Sequence, residues 1–355
     1  MALRACAVCG RRVPALAREL GVCGPCIRRD PQRSAALVRE AHARARRAFG
    51  LPVEAPRSEG GVRCGLCAWG CVIGEGERGF CGLRTVRGSR LVHLAGTPRR
   101  GLLRWYRDPL PTNCVADWVC PGHGRSGDQN LAVFYGSCTF DCMFCQNWQY
   151  RSMTAEPGGL TTAWELAAVA NPRTFCVCFF GGDPSSQMPH ALASGRLLAE
   201  RGVRVCWETN GSMHPRFLER AVELSLSTGG IVKFDLKAMN EDLHVALTGA
   251  SNRRTLENFA RAASRIAERP DPPLVVASTL LVPGYVDAEE VGVIARFVAS
   301  FDPGIPYALL ALAPHFAMAD LPRTSRRHAQ QALEAARSAG LIRVCLGNVH
   351  LLART

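Results

Sequence analysis

The chain has little lysine and no long hydrophobic run, and both shortages are informative. The longest apolar stretch, residues 274–283, is far too short to cross a bilayer, so we expect no transmembrane helix. The first residues, MALRACAVCGRR, lack the apolar core of a secretory signal peptide. Seventeen cysteines in a chain that is not secreted indicate metal ligation rather than a disulfide framework, and we expect a cytoplasmic protein.

Blocks of like charge are missing as well. The formal net charge is +13, but the arginines are scattered without a run of five or six, and the aromatic residues are not interleaved with them. Metal-bound thiolates would lower this charge. The composition therefore argues against a nucleic-acid partner and leaves an acidic partner open.

The scarcity of lysine gives a sharper indication. Of the 43 lysines and arginines only two are lysine, Lys233 and Lys237, and both lie in IVKFDLKAMN. One explanation is that these positions need a compact ammonium, which a planar guanidinium cannot replace. The alternative is that the two lysines lie close together by chance.

The most informative motif is the run FYGSCTFDCMFCQNW, in which Cys138, Cys142 and Cys145 form C-x3-C-x2-C. Three thiolates can hold three irons of a [4Fe–4S] cluster and leave the fourth iron open for a small molecule. Phe144 could pack its ring against a bound purine. A partial zinc site or a set of buried thiols is the alternative, and it loses weight because a long series of strand and helix patterns follows.

Two other cysteine groups precede this motif. Cys6, Cys9, Cys23 and Cys26 form paired C-x2-C knuckles, typical of structural zinc, ahead of a helix capped by Asp30. Cys64, Cys67, Cys71 and Cys81 form a second quartet, for zinc or an auxiliary iron–sulfur cluster. Cys114, Cys120 and His123 are expected to be buried or unligated. We predict a metal-binding module over 1–50, which should fold semi-independently, a linker over 51–61, a cysteine-rich segment over 62–125 and a barrel over 126–355.

From residue 131 strand and helix patterns alternate. Seven strands are predicted at 131–136, 174–181, 203–209, 231–236, 274–282, 307–313 and 343–346, and helices at 162–170, 186–201, 214–226, 254–268, 287–300 and 325–339. This alternation predicts an α/β fold, a partial (β/α)6 TIM-like barrel with its chemistry at the carboxyl ends of the strands.

Polar or glycine residues follow nearly every predicted strand. They are Gly181, Gly182 and Asp183; Glu208, Thr209 and Asn210; Lys233, Asp235 and Lys237; and Gly284, His315 and Asn348. Because the ends of parallel strands meet at one edge, these residues are expected to form one site with the cluster. Tyr135, Asn147 and Trp148 flank the cluster motif and are further candidates, although core packing explains the two aromatic residues equally well.

The motifs GSCTFDCMFCQNW, FFGGDP, WETNGS, KFDLKAMN, LLVPG, APHF and VCLGN resemble those of the radical S-adenosylmethionine (SAM) superfamily, in its pyruvate formate-lyase activating enzyme branch. The chain is most similar to the AmmeMemoRadiSam-system enzymes, from about residue 62 to near the C-terminus. The resemblance implies that Cys138, Cys142 and Cys145 ligate the cluster and that Gly181, Gly182 and Asp183 hold the SAM ammonium. It also places Glu208, Asp235 and Lys237 near the SAM carboxylate, and His315 against SAM. Thr209 and Asn210 belong to the same site.

Three functions are compatible with these patterns. The first is a radical SAM enzyme that cleaves SAM and abstracts hydrogen from a protein, peptide or small molecule. The second, within the first, is an activase of a glycyl radical enzyme. The third is a non-catalytic zinc or iron–sulfur module that binds RNA or a protein. The ordered strand-end motifs favour the first, and such an enzyme needs a reductant such as flavodoxin or ferredoxin.

Overall fold

The N-terminal third consists of short hairpins and two helices. The protein is described from a computed structural model over residues 3–112, 114–156 and 158–353. The elements here are β1 (Arg4–Ala5), β2 (Arg12–Val13), α1 (Gly24–Arg29), α2 (Pro31–Arg47), β3 (Val62–Arg63), β4 (Val72–Ile73), β5 (Arg84–Arg87), β6 (Arg90–His93) and β7 (Leu103–Pro109). The predicted start of α2 is confirmed, because the Asp30 side chain accepts a hydrogen bond from the Arg33 N–H and Pro31 is the first helical residue.

Strands and helices alternate in the rest of the chain. The elements are β8 (Gln129–Tyr135), α3 (Ala163–Ala168), β9 (Thr174–Phe180), α4 (Met188–Ala199), β10 (Arg204–Thr209), α5 (Pro215–Thr228), β11 (Val232–Asp235), α6 (Glu241–Thr248), α7 (Arg253–Ala263), β12 (Val275–Leu281), α8 (Ala288–Ala299), β13 (Tyr307–Ala311), α9 (Arg326–Ser338) and β14 (Val344–Gly347). Every predicted strand and helix has a counterpart. The sequence patterns missed β7 and α6, although Asn240 caps α6 in the usual way.

These strands form one eight-stranded sheet in the order β14-β13-β12-β11-β10-β9-β8-β7. Strands β8 to β14 are parallel, and β7 pairs antiparallel with β8 at the edge. The predicted partial (β/α)6 barrel is thereby confirmed, with one additional antiparallel strand. All seven parallel strands end at the same edge, where the sequence motifs lie.

The two faces of the sheet differ in chemistry. Phe179, Trp207 and Phe234 are fully buried on the outer face, under the helices, and the Phe179 and Trp207 rings stack 4.8 Å apart. The alternate positions of the same strands point inward and include cysteine, glutamate and lysine. These inward residues line a cavity of about 610 Å³, to which β7, β8, β9, β10, β11, β13 and β14 all contribute. The curved sheet therefore encloses a chamber whose lining mixes charged groups, thiols and apolar side chains, in contrast to the usual aliphatic layers.

The first fifty residues pack directly against the barrel. The Tyr285 hydroxyl lies within hydrogen-bond distance of the Ala17 N–H and the Val22 carbonyl, and Arg28 pairs with Asp287 at 2.8 Å. A Cβ at Gly24 would lie 2.5 Å from the Gly284 carbonyl oxygen, so the two backbones approach as closely as glycine allows. These contacts argue against the semi-independent module predicted for residues 1–50.

The predicted linker over 51–61 is also packed. The Ser58 N–H donates to the Val72 carbonyl, and the Arg46 guanidinium binds the Pro52 carbonyl. Within the described ranges, no helix combines the length and apolarity needed to span a membrane.

Candidate active site

The cluster motif forms a loop directly after β8. Its backbone is fixed by α6, because the Asp141 and Met143 N–H groups donate to the Thr248 and Leu247 carbonyls at 2.7 and 2.9 Å. Burial raises the pKa of the Cys138 thiol well above its usual value and that of Cys142 to about 12, although the Lys237 ammonium opposes the second shift. Bound metal deprotonates such thiols, so cluster loading should release protons.

The surroundings of these thiols fit an anionic iron–sulfur cluster. The Phe140 N–H donates to the Cys138 sulfur at 3.3 Å, and the Asn210 amide donates to it at 3.7 Å. The fully buried Arg151 guanidinium opposes the rise in the pKa of Cys145 that burial causes. Its Nε and Nη1 atoms have no hydrogen-bond partner among the described residues. Unpaired N–H groups beside a thiol suit a thiolate or a cluster sulfide, which accept hydrogen bonds.

Asp141, between the first two cysteines, is the structural hub of the loop. Its carboxylate has no exposed surface and accepts hydrogen bonds from His42 Nδ1 and the Arg151 guanidinium, each at 2.8 Å. The Arg46 guanidinium lies 3.7 Å away and binds the Phe80 carbonyl as well. Burial works against ionisation, but the His42 hydrogen bond and the two guanidiniums lower the pKa of Asp141. Helix α2 thus braces the cluster loop, which sequence reasoning missed because no local pattern joins His42 to Asp141.

The strand end after β9 requires both of its glycines. Gly181 and Gly182 have φ angles of +64° and +47°. A Cβ would lie 2.1 Å from the Phe134 ring at the first position and 2.2 Å from the Tyr135 carbonyl oxygen at the second. The chain therefore passes against β8 and the cluster loop with no room for a side chain.

Asp183 is buried and organises the neighbouring strand ends. Its carboxylate accepts hydrogen bonds from the Ser185 N–H at 2.6 Å, the Asn210 N–H at 2.7 Å and the Thr209 hydroxyl at 3.1 Å. Burial raises its pKa to about 6 against these hydrogen bonds. These contacts position the loop, and the role of Asp183 toward a ligand ammonium stays a prediction.

Two lysine–carboxylate pairs cross the inner face of the neighbouring strands. Lys237 lies 2.8 Å from Asp235, whose other oxygen accepts a hydrogen bond from Ser278. Lys233 lies 3.5 Å from Glu208, its register partner on β10. The Lys237 ammonium also lies 5.7 Å from the centre of the Phe144 ring and close enough to Cys142 to lower its pKa. The predicted lysine cluster is thus an ionic row that extends from the cluster loop into the cavity.

The remaining candidates are distributed around this row. His315 is exposed at the start of a 3-10 turn on the barrel rim, and Asn147 is exposed and lines the cavity. Trp148 stacks near Phe316, with ring centroids 6.1 Å apart. Tyr135 is buried and hydrogen-bonded to His190, which gives it a role in the core.

The two N-terminal cysteine quartets differ in geometry. The ligand atoms of Cys6, Cys9, Cys23 and Cys26 all lie within 4.8 Å of one another, as one metal ion requires, and in the described ranges no other group converges so closely. Cys64, Cys67, Cys71 and Cys81 do not meet that spacing. They lie beside the active site. The Cys81 carbonyl accepts a hydrogen bond from the Ser137 hydroxyl, and the backbone of Cys67 forms an isolated antiparallel β-bridge with that of Met213. Zinc at either quartet stays a prediction.

Of the three residues that were expected to be buried or unligated, Cys114 and Cys120 line the barrel cavity. His123 is two-thirds exposed and pairs with Asp117.

Comparison with known proteins identifies the family. A model described as the Radical SAM superfamily matches residues 132–298. The isethionate sulfite-lyase activating enzyme of Oleidesulfovibrio alaskensis is 34% identical over 258 residues, which are 64% of this chain and 78% of that protein. The pyruvate formate-lyase 1-activating enzyme of Escherichia coli is 27% identical over 166 residues, 44% of this chain and 63% of that one.

Two further matches cover half of this chain or less. The isethionate sulfite-lyase activating enzyme of Desulfovibrio desulfuricans is 37% identical over 131 residues, 37% of this chain and 39% of that protein. The chain therefore spans well under half the length of this relative. A domain of pyruvate-formate lyase-activating enzyme from Bacteroides vulgatus superposes with a TM-score of 0.39 and 21% identity, over 49% of this chain and 99% of that domain.

The class of protein follows from these matches: the chain belongs to the radical SAM superfamily. Within the superfamily it is an enzyme of the activating-enzyme branch. Membership implies a [4Fe–4S] cluster and SAM as cofactors. The closer likeness to AmmeMemoRadiSam-system enzymes stays a prediction.

Proposed function

We propose that this protein reductively cleaves SAM at a [4Fe–4S] cluster held by Cys138, Cys142 and Cys145. One electron from a flavodoxin- or ferredoxin-type donor breaks the bond between sulfur and C5′, which yields methionine and a 5′-deoxyadenosyl radical. That radical takes a hydrogen atom from the substrate and leaves as 5′-deoxyadenosine. The observation that carries the proposal is the three-cysteine loop at the mouth of the barrel, with the ionic row of Lys237 and Asp235 beside it.

SAM would lie between the cluster loop and this row. The Gly181–Gly182 backbone passes closest to the loop and would offer carbonyl oxygens to the SAM ammonium. Lys237 would pair with the SAM carboxylate, and Phe144 would pack near the purine. Glu208, Thr209 and Asn210 would complete the site from β10, and exposed His315 would contact SAM from the rim.

The substrate that we favour is a glycine residue of a partner protein. The support comes from the relatives, two of which are activating enzymes of isethionate sulfite-lyase and one of pyruvate formate-lyase. The cavity and its exposed rim residue Asn147 supply space next to the cluster for a loop of such a partner.

The cleavage reaction can be tested with three variants and a control. Cys138→Ala, Cys142→Ala and Cys145→Ala should each abolish formation of 5′-deoxyadenosine by anaerobically reconstituted, dithionite-reduced protein. Cys345→Ala, which removes a cavity cysteine outside the loop, should retain it. Wild-type turnover by any of the three variants would refute the cluster assignment. A colourless protein that contains zinc alone would favour the non-catalytic metal module instead.

The choice of substrate needs a separate experiment. SAM cleavage is run with a short peptide that contains α-dideuterated glycine. Transfer of deuterium into 5′-deoxyadenosine supports glycine as the hydrogen donor. Turnover with that peptide that leaves the product unlabelled contradicts it.

A further inference from the structure

The interior of the barrel holds a second concentration of cysteine, separate from the cluster loop. Its members share one property, which is that they line the 610 Å³ cavity: Cys114, Cys120, Cys176, Cys178, Cys206 and Cys345. Barrel interiors are normally filled by layers of valine, isoleucine and leucine. Six thiols in one chamber depart from that pattern.

Five of these thiols form a group around Lys233. Cys176, Cys178 and Cys206 pack together on the inner face of β9 and β10, where Cys178 and Cys206 are register partners. The Lys233 ammonium lies 3.0 Å from the Cys178 sulfur and 3.1 Å from the Cys114 sulfur. Cys345, on β14, belongs to neither of the packed groups that contain the other five thiols.

The connection between β7 and β8 closes the amino end of the barrel and supplies the other two thiols. Cys114 and Cys120 lie in this connection and pack with Ala116, Ile231 and Val276. Thiols from two strands and a closing loop thus meet in one place, although they are distant in sequence.

Lys233 indicates that this group carries negative charge. Its side chain is 2% exposed, and the carboxylate paired with it, that of Glu208, lies at 3.5 Å while the two sulfurs are nearer. A buried ammonium is costly unless anions surround it. Metal-bound thiolates would provide such anions permanently.

We propose that Cys114, Cys120, Cys176, Cys178 and Cys206 supply the ligands of a second iron–sulfur cluster inside the barrel. A single ion fits poorly, because in the described part of the chain only the N-terminal quartet brings its ligand atoms within 4.8 Å of one another. A cluster of two or four irons distributes its ligands over several metal atoms and accepts a wider spacing. Five thiols exceed the four ligands such a cluster takes, so one thiol remains outside the set.

The location assigns this cluster to the substrate side of the site. Gln146 and Asn147, which follow directly on Cys145, line the same cavity as the five thiols. A cluster in this chamber would therefore face the space that receives the substrate. The site shares no ligand with the cluster loop, so its loss and the loss of SAM cleavage are distinguishable.

The test counts iron in the full chain. Reconstituted Cys178→Ser/Cys206→Ser protein should lose about two to four irons per chain relative to wild type, with a matching loss of acid-labile sulfide. Its SAM-responsive EPR signal should remain, because Cys138, Cys142 and Cys145 are unchanged. Cys345→Ser should match wild type in both readouts. Equal iron in the double variant and in Cys345→Ser, or loss of zinc in place of iron, would overturn the proposal.

A second variant covers the case in which the double variant does not fold. Lys233→Gln keeps all five thiols and removes the neighbouring ammonium. Reduced wild-type protein should show an EPR signal that does not respond to SAM, and Lys233→Gln should shift that signal while the SAM-responsive one persists. The second cluster would be contradicted if wild-type protein shows no SAM-insensitive signal. It would also be contradicted if that signal is identical in Lys233→Gln and wild type.

Discussion

Asp141→Asn tests directly whether the buried ion pairs hold the cluster loop, because it removes one charge and almost no volume. The Asp141 carboxylate is completely buried and accepts hydrogen bonds from His42 and Arg151 at 2.8 Å, with Arg46 at 3.7 Å. An amide in its place leaves two guanidiniums, of which 0% and 2% of the side chain is exposed, without their anion.

The expected magnitude follows from the burial. Removal of one partner from a buried ion pair costs about 3–5 kcal/mol, because the remaining charge is uncompensated. The matched control is Asp287→Asn, which breaks the 2.8 Å pair with Arg28 where 47% of the Asp287 side chain is exposed. Exposed pairs contribute about 0–1 kcal/mol, so the two variants should differ by at least about 2 kcal/mol.

The assay is anaerobic urea unfolding of reconstituted protein, followed by circular dichroism, with iron per chain measured on the same samples. Asp141→Asn should shift the midpoint strongly at unchanged slope and should lose iron from the cluster loop. An equal shift in the two variants, with full iron in both, would refute the idea that α2 braces the cluster. By the same reasoning, deletion of residues 3–50 should cost iron in the loop, in contrast to the independence that the sequence pattern predicted.

Three further outcomes are expected. Lys237→Arg should weaken SAM binding at least about tenfold in equilibrium titration although charge is kept, since the pocket beside Asp235 holds a compact ammonium; an unchanged Kd would contradict this. Gly182→Ala should reduce the amount of folded, iron-containing protein, because its Cβ would lie 2.2 Å from a carbonyl oxygen. An amount equal to that of the wild type would show that the backbone can shift at this position. Burial lowers the pKa of His190 from 6.5 to about 4, so the unfolded chain takes up a proton first, and the contribution of this one group to stability should fall by about 3 kcal/mol as pH drops from 6.5 to 4. His190→Gln should flatten that slope in unfolding experiments across this range, and exposed His123→Gln should leave it intact.

The regular part of the fold could be predicted from sequence because its pattern is local. Alternating strands and helices from residue 131 onward carry their periodicity within each element, and every predicted one is present. Strand β7 was missed because LRWYRDP carries three charged residues and no apolar alternation, as an exposed strand at a sheet edge permits. Helix α6, an eight-residue helix that begins six residues after the end of β11, was missed as well.

The part of the candidate site that lies at the strand ends could be predicted from the sequence, because parallel strands end at the same edge of the sheet. Glu208, Asp235 and Lys237 converge for that reason. The brace of His42, Arg46 and Arg151 on Asp141 was not predictable, because two of its members come from a helix about a hundred residues earlier. Asp183 shows the same limit: no local pattern predicts that its carboxylate accepts hydrogen bonds from Ser185, Thr209 and Asn210, and its contact with the SAM ammonium stays a prediction.

The scarcity of lysine gives the folded protein an unusual chemical property. Lys233 and Lys237 are the only two side-chain amines in the sequence, and their side chains are 2% and 13% exposed. Amine-directed reagents, such as acylating dyes and cross-linkers, should leave both unmodified while the barrel is closed, and a lysine-specific protease should find no accessible bond. Acylation at these two positions would therefore report opening of the barrel around its central chamber, without any engineered label.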